Sequence, residues 1–249
     1  MKISIITTTY NSAQTVADTL QSVANQTYHD IEHIIIDGAS KDNTLEIVKQ
    51  FPHVSKVTSE PDKGIYDAMN KGIALATGDI IGILNSDDIF ENNNVVDEIM
   101  SIFNKNIEID AIYGNISYFK TENPNKIVRY WKSKPYYSSF FEDGEVPPHP
   151  SLFVKKKVYN NIGMYKIYYK IAADHDFMFR MLKIHKFQSY FLDKIIVKMR
   201  EGGVSTKGIN SYLTSTKELV NVWSENGVVY PKLLFIIRPI KKIKQFIFK

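Results

Sequence analysis

Ile80-Ile81-Gly82-Ile83-Leu84-Asn85-Ser86-Asp87-Asp88 is the stretch on which the reading of this 249-residue chain turns. Its apolar part is short and β-branched and reads as a buried strand. That strand delivers adjacent carboxylates to the carboxyl edge of a sheet, where open α/β proteins bind ligands. Hard oxygen ligands there suit Mg²⁺ or Mn²⁺ carrying a diphosphate. Asp is also a favoured turn and helix N-cap residue, so a capped turn is the alternative.

The sequence before this stretch decides which setting applies. Ile3 to Thr7 reads as a strand, and Asn11 or Ser12 then caps a helix with Ala13, Val16, Ala17, Leu20, Val23 and Ala24 at three- and four-residue spacing. Ile31 to Ile36 is a second strand closed by Asp37-Gly38, with Asp42-Asn43 capping a helix from Thr44 to Gln50. Val57-Thr58 begins a third strand and Pro61-Asp62-Lys63-Gly64 turns. Ile65, Ala68, Met69, Gly72, Ile73 and Ala76 form one face of a third helix, which Gly78 ends. This alternation predicts an α/β fold with a mostly parallel, right-handed sheet and helices on both faces. Tyr10-Asn11, Asp37-Gly38 and Asn85 to Asp88 each follow a strand, so they converge on one crevice.

Beyond residue 90 the signals thin. Val95 to Phe103 and Ala173 to Leu182 read as helices, Ala111 to Tyr113, Ile127 to Trp131 and Ile195 to Val197 as strands, and Tyr136 to Pro150 as a loop. The domain expectation is a catalytic unit over 1–226, with a nucleotide-binding half (1–100) and an acceptor half (101–226), followed by a basic tail over 227–249.

No cysteine is present, which excludes a disulfide framework, a thiolate zinc site and a cysteine nucleophile. Six basic residues and no acid lie between Pro231 and Lys249, leaving 25 basic against 27 acidic side chains in 1–230. A slightly acidic body argues against a nucleic-acid partner. The tail alternates Leu233, Leu234, Ile237, Ile240, Ile243 and Ile247 with those basic residues, interrupted by Pro239. It reads as an amphipathic helix at an anionic membrane surface, or as a terminal helix packed on the body. The start is too short in apolar residues for a signal peptide, and no run approaches the roughly 18 residues of a membrane span. The expectation is a cytoplasmic protein, peripheral at the inner face of the plasma membrane.

Taken in order, "TTTYN", "SVANQTYHD", "IIIDGASKDNT", "SEPDKGIYDAMNKGIALATGD" and "LNSDD", then "HPSLF", "ADHDF" and "GGVS", resemble the family 2 glycosyltransferases with their GT-A nucleotide-sugar-binding fold. The resemblance implies an inverting, metal-dependent transfer of hexosyltransferase type, from a nucleoside diphosphate sugar, usually a UDP-sugar, in bacterial polysaccharide assembly. Such acceptors are often saccharides on a lipid carrier. Breaking an anomeric C–O bond passes through an oxocarbenium-like state while the leaving diphosphate gathers charge, which a divalent ion stabilises.

By this resemblance Asp87 is the metal-binding carboxylate and Asp88 the second choice. Asn85 stands where the family has another acid, which removes one charge and leaves ribose contact as an alternative role. Asp37 would face the uracil or ribose of the donor, and Thr8 and Tyr10 would border the base. Asp62 and Lys63 match the turn that reaches the nucleotide. Met69 replaces a frequent arginine, so Lys63 or Arg200 would supply the phosphate contact. Asp174 is the catalytic base, with Ala173 in place of the family's preceding glutamate. Asp176 is a cap or supporting residue, with sugar contact the lesser alternative, and His149 would contact the acceptor or donor sugar. Arg200 to Ser205 would fold over the diphosphate. Two rivals remain: a sugar nucleotidyltransferase, which would need a glycine-rich, arginine-bearing loop absent after strand one, and a degenerate sugar-nucleotide- or membrane-binding module, suggested by Asn85, Met69 and Ala173.

Overall fold

β1 (Ile3–Thr9), β2 (Ile31–Asp37), β3 (Val54–Ser59) and β4 (Ile80–Ile83) form the amino-terminal half of the sheet, all parallel, in the spatial order β3-β2-β1-β4. They come from a computed structural model that describes residues 1–121, 123–202 and 208–247. Past β4 the sheet becomes mixed. β5 (Asp88–Phe90), β6 (Ala111–Lys120), β7 (Asn123–Trp131), β8 (Phe153–Lys155) and β9 (Ser189–Arg200) continue it as β8-β6-β9-β5, with β7 on β6. β8 runs antiparallel to β4 and β6, β7 to β6 and β5 to β9, while β6 and β9 are parallel.

Period-two alternation places helices on both faces. Ile3, Ile5 and Ile80 share one apolar cluster with Val96, Ile99 and Phe103 of α4 (Val95–Lys105). Ile6, Ile34, Ile36, Ile81 and Ile83 point the other way, into a cluster with α3 (Ile65–Leu75), α6 (Ala173–Phe179) and α7 (Gly208–Glu225). Ile35 packs with Val16 and Leu20 of α1 (Val16–Ala24) and Val48 of α2 (Thr44–Val48). α3 lies so close to β1 that a Cβ on Gly72 would stand 2.4 Å from Ile6 Cγ2, so only glycine permits this approach.

Several boundaries differ from the sequence reading. Neither Asn11 nor Ser12 caps α1 with its side chain: Asn11 takes φ +50° and its amide oxygen accepts from Lys41 N–H. The Ser12 backbone carbonyl, not its hydroxyl, receives the first amides of the turn. Asp42 rather than Asn43 receives Thr44 N–H, at 3.1 Å. β5, β8 and α5 (Lys156–Ile162) are too short to show periodicity, and α7 was hidden by its many polar residues. The helix at Ala173 continues as a π-turn over Arg180–Ile184. α8 (Leu234–Ile247) runs through Pro239. Among the described residues no helix is long and apolar enough to cross a membrane.

At the edge of the sheet opposite the crevice, Glu32 is almost fully buried and accepts from Ser4 Oγ at 2.6 Å, Thr77 N–H at 2.7 Å and Thr77 Oγ1 at 2.9 Å, with Lys56 Nζ at 3.1 Å. Burial is the largest single influence and opposes ionisation, yet these donors together hold the carboxyl down to about 2. Because the folded value lies below the ordinary one, this stabilisation is present above the usual carboxylate range and is lost as pH falls toward 2. Thermal midpoints at pH 6 and pH 3 should therefore diverge more for the native chain than for Glu32→Gln.

Candidate active site

Hydrogen bonds tie the strand ends together. Asn11 N–H donates to Ser40 Oγ at 2.8 Å, joining the ends of β1 and β2, and the Ser12 and Ser86 hydroxyls meet at 2.8 Å, joining β1 to the loop after β4. Ser59 Oγ donates to Asp37 at 2.7 Å, adding β3. The expected convergence is thus built from short polar side chains in the turns.

Asp37 is a correction. Its carboxylate is fully buried and accepts from Thr9 Oγ1, Ser40 N–H, Ser40 Oγ and Ser59 Oγ. Burial opposes its ionisation most, but the bonds from Ser40, Ser59 and Thr9 prevail and keep it below the ordinary range. With every lone pair engaged it pins three strand ends and has no acceptor left for a nucleoside. Gly38, one residue on, faces the crevice instead: a Cβ there would lie 3.0 Å from Asp62 Oδ2 and 3.3 Å from the Tyr10 ring. Tyr10 is 65% exposed. Asp62 Oδ1 pairs with Lys71 Nζ at 2.6 Å, leaving Oδ2 toward Gly38 and Tyr10. Thr8 is buried beneath them, and Lys63 is exposed, its N–H bonded to Asp67 at 2.9 Å.

The acidic stretch runs through the loop after β4 to Asp88, the first residue of β5. Asp88 is fully buried, and burial followed by the neighbouring Asp87 charge pushes its carboxyl well up. Burial raises Asp87 as well, and Arg200 opposes both shifts. The Asn85 amide donates to Asp88 Oδ2 at 3.2 Å, while Asn85 Oδ1 and Asp88 Oδ1 are buried without a hydrogen-bond partner. Unpaired oxygens beside two repelling carboxylates fit a hard divalent cation. Among the described residues no three His, Cys, Asp or Glu side chains gather as a cage. Mg²⁺ and Mn²⁺ suit such a sparse site, since they complete their shell with phosphate and water. Arg200, at the end of β9, pairs with Asp18 at 2.7 Å and lies 5.0 Å over the Phe119 ring. Gly203, Val204 and Ser205 of the expected covering loop lie outside the described residues.

Asp174 opens α6. One carboxylate oxygen accepts His175 N–H at 2.8 Å and lies 3.2 Å from the Tyr66 hydroxyl, whose proton also reaches Ile171 O at 2.7 Å. Burial, then the Asp174 charge, pushes the Tyr66 phenol well up, so it stays a donor. His149 is buried and bonded to Tyr165 at 2.9 Å, and Tyr165 packs on Tyr66. Burial holds the imidazole neutral against the pull of Asp174. His149 is therefore tied into the aromatic layer behind Tyr66, and the expected contact with sugar is not what its placement shows. Asp176 fits the supporting role expected first and not the lesser sugar contact: fully buried, it pairs with Arg180 at 2.8 Å and Lys166 at 2.9 Å. Tyr66 escaped the sequence reading, although it stands in the quoted "SEPDKGIYDAMNKGIALATGD", while Gly38 and Ser86 entered it only as members of the converging turns.

Comparison with known proteins accords with this geometry. Residues 4–178 match the family described as "Glycosyl transferase family 2". A "PGL/p-HBAD biosynthesis glycosyltransferase" of Mycobacterium bovis is 28% identical over 207 residues, covering 81% of this chain and 78% of the relative. Among solved structures, residues 1–349 of S. aureus TarS in complex with UDP-GlcNAc align with TM-score 0.64 and 18% identity over 100% of this chain and 74% of that one. The chain spans only 40% of a longer S. aureus TarS structure. The mannosyltransferase PcManGT of Pyrobaculum calidifontis, in complex with GDP-Man and Mn²⁺, aligns with TM-score 0.65 and 15% identity, covering 97% and 69%. The α/β architecture is that of the GT-A transferases, and the family match spans both the strand-end crevice and Asp174. On these grounds the chain belongs to glycosyl transferase family 2.

Proposed function

We propose that this glycosyltransferase moves a sugar, with inversion, from a UDP-sugar to a saccharide acceptor on a lipid carrier during bacterial surface polysaccharide synthesis. The observation that carries the reading is the Ser12–Ser86 bond, which sets the Tyr10 turn against the Asn85 to Asp88 loop. A nucleoside on Tyr10 then has its diphosphate directed at the carboxylates. The Tyr10 ring borders the base and Asp62 Oδ2 accepts from a base N–H or ribose hydroxyl. Lys63 is exposed and free to meet the diphosphate, and Arg200 would join it by exchanging its Asp18 partner for a phosphoryl oxygen.

Asp87, supported by the oxygens of Asn85 and Asp88, would hold Mg²⁺ or Mn²⁺. Such an ion supplies Lewis-acid stabilisation to the departing nucleoside diphosphate. Asp174 takes the proton of the acceptor hydroxyl as that oxygen bonds to the anomeric carbon and the bond to the phosphate oxygen breaks on the opposite face. Tyr66 fixes the carboxylate and leaves its other oxygen for the substrate. Calorimetry with UDP- and GDP-sugars, each with and without Mn²⁺, tests the donor class. A UDP-sugar should bind at least about tenfold tighter with Mn²⁺; equal or tighter binding of GDP-sugars would overturn that choice.

The tail supplies the membrane part of the proposal. Leu233, Ile236 and Ile240 are 61%, 60% and 49% exposed beside exposed Lys232, a face suited to an anionic bilayer at the inner side of the plasma membrane. Replacing these three by serine in the full chain should lower co-sedimentation with anionic liposomes about tenfold or more, each lost side chain forfeiting on the order of 1 kcal/mol of burial. Unchanged binding would remove the membrane claim.

A further inference from the structure

Glu218 projects from α7 onto the turn that precedes Asp174. Its Oε1 accepts Lys170 N–H at 2.8 Å, and its Oε2 accepts Ile171 N–H and Ala172 N–H, each at 2.9 Å. Three consecutive backbone donors on one carboxylate fix the path of the chain into α6. The Ile171 peptide is gripped from the other side as well, because its carbonyl accepts from the Tyr66 hydroxyl that also touches Asp174. Ala173, fully buried, brings no polar group to this turn.

The helix carrying Glu218 cannot drift. Leu219, Val222 and Trp223 are buried in the main core, and the Trp223 ring lies 4.7 Å from that of Phe179 on α6. Glu218 is thus a rigid brace reaching from a packed helix to the turn that aims the base.

We propose that Glu218 is the positioning residue for Asp174, setting the carboxylate against the acceptor hydroxyl without touching substrate. The inference rests on the reading of Asp174 as the base. Glu218→Gln keeps the size of the side chain but replaces one acceptor by an NH₂ group that faces backbone N–H donors. The turn then relaxes and the base is misplaced.

A double-mutant cycle with Asp174→Asn separates positioning from general structure. Glu218→Gln should lower kcat about ten- to hundredfold, with donor Kd within twofold and the melting temperature within a few degrees, and Glu218→Asp should recover part of the loss. In the Asp174→Asn background Glu218→Gln should cost nothing further. An equal loss in both backgrounds, or an unchanged kcat, overturns the inference while leaving the base in place. An unchanged kcat in Asp174→Asn alone overturns the assignment of the base, and the inference with it. Should the glutamine variant fail to melt cooperatively, Glu218→Asp carries the same comparison.

Discussion

Asp174→Asn should lower kcat by about 10³-fold and leave donor affinity within twofold, as loss of a general base requires. The amide cannot take the acceptor proton, yet its oxygen still accepts His175 N–H and its size still fills the space beside Tyr66. Fold and donor site are therefore retained, and the loss sits in the chemical step. Tyr66→Phe should give a smaller drop in kcat, because the phenol orients the carboxylate but carries no proton in the reaction. Initial rates over acceptor concentration, with calorimetry on the donor, separate the two effects. A kcat within threefold of native for Asp174→Asn would mean that the proton leaves by another route.

Asp87→Ala should produce a different signature, in which both transfer and donor affinity collapse. Transfer should fall by about 10³-fold, comparable to loss of a principal charge-stabilising group. The donor should bind no better with Mn²⁺ than without it, and chelation should abolish transfer by the native chain. The residue lies in a loop, half-buried, so its removal disturbs no packed strand. Asp88 is the contrasting case: fully buried with one oxygen unpaired, it sits deeper, and its loss should appear in the melting temperature as well as in activity. A variant lacking the Asp87 carboxylate that still responds to Mn²⁺ would move the ion elsewhere.

The amino-terminal fold was readable because its strands alternate cleanly: Ile3, Ile5 and Ile6, or Ile34, Ile35 and Ile36, divide between opposite apolar clusters as period two demands. The three loops at the carboxyl edge followed from that alternation. What the sequence could not show was direction within a turn. Asp37 and Gly38 are adjacent, and only the fold reveals that the carboxylate turns inward to four donors while glycine faces the crevice. On a helix the direction was legible, since a two-residue step already sets Asp176 apart from Asp174, and Arg180 and Lys166 hold Asp176 within the fold. Residues far apart in sequence, such as Glu218 with the 170–172 turn or Asp18 with Arg200, carry no local signal at all.

Crystals of the chain grown with UDP and Mn²⁺ test the central claim most directly. Electron density should place uracil against Tyr10 with Asp62 at its edge, and an ion joining the Asp87 carboxylate to the phosphoryl oxygens. Nucleotide bound away from the β1, β2 and β4 ends, or an ion held without Asp87, would contradict it.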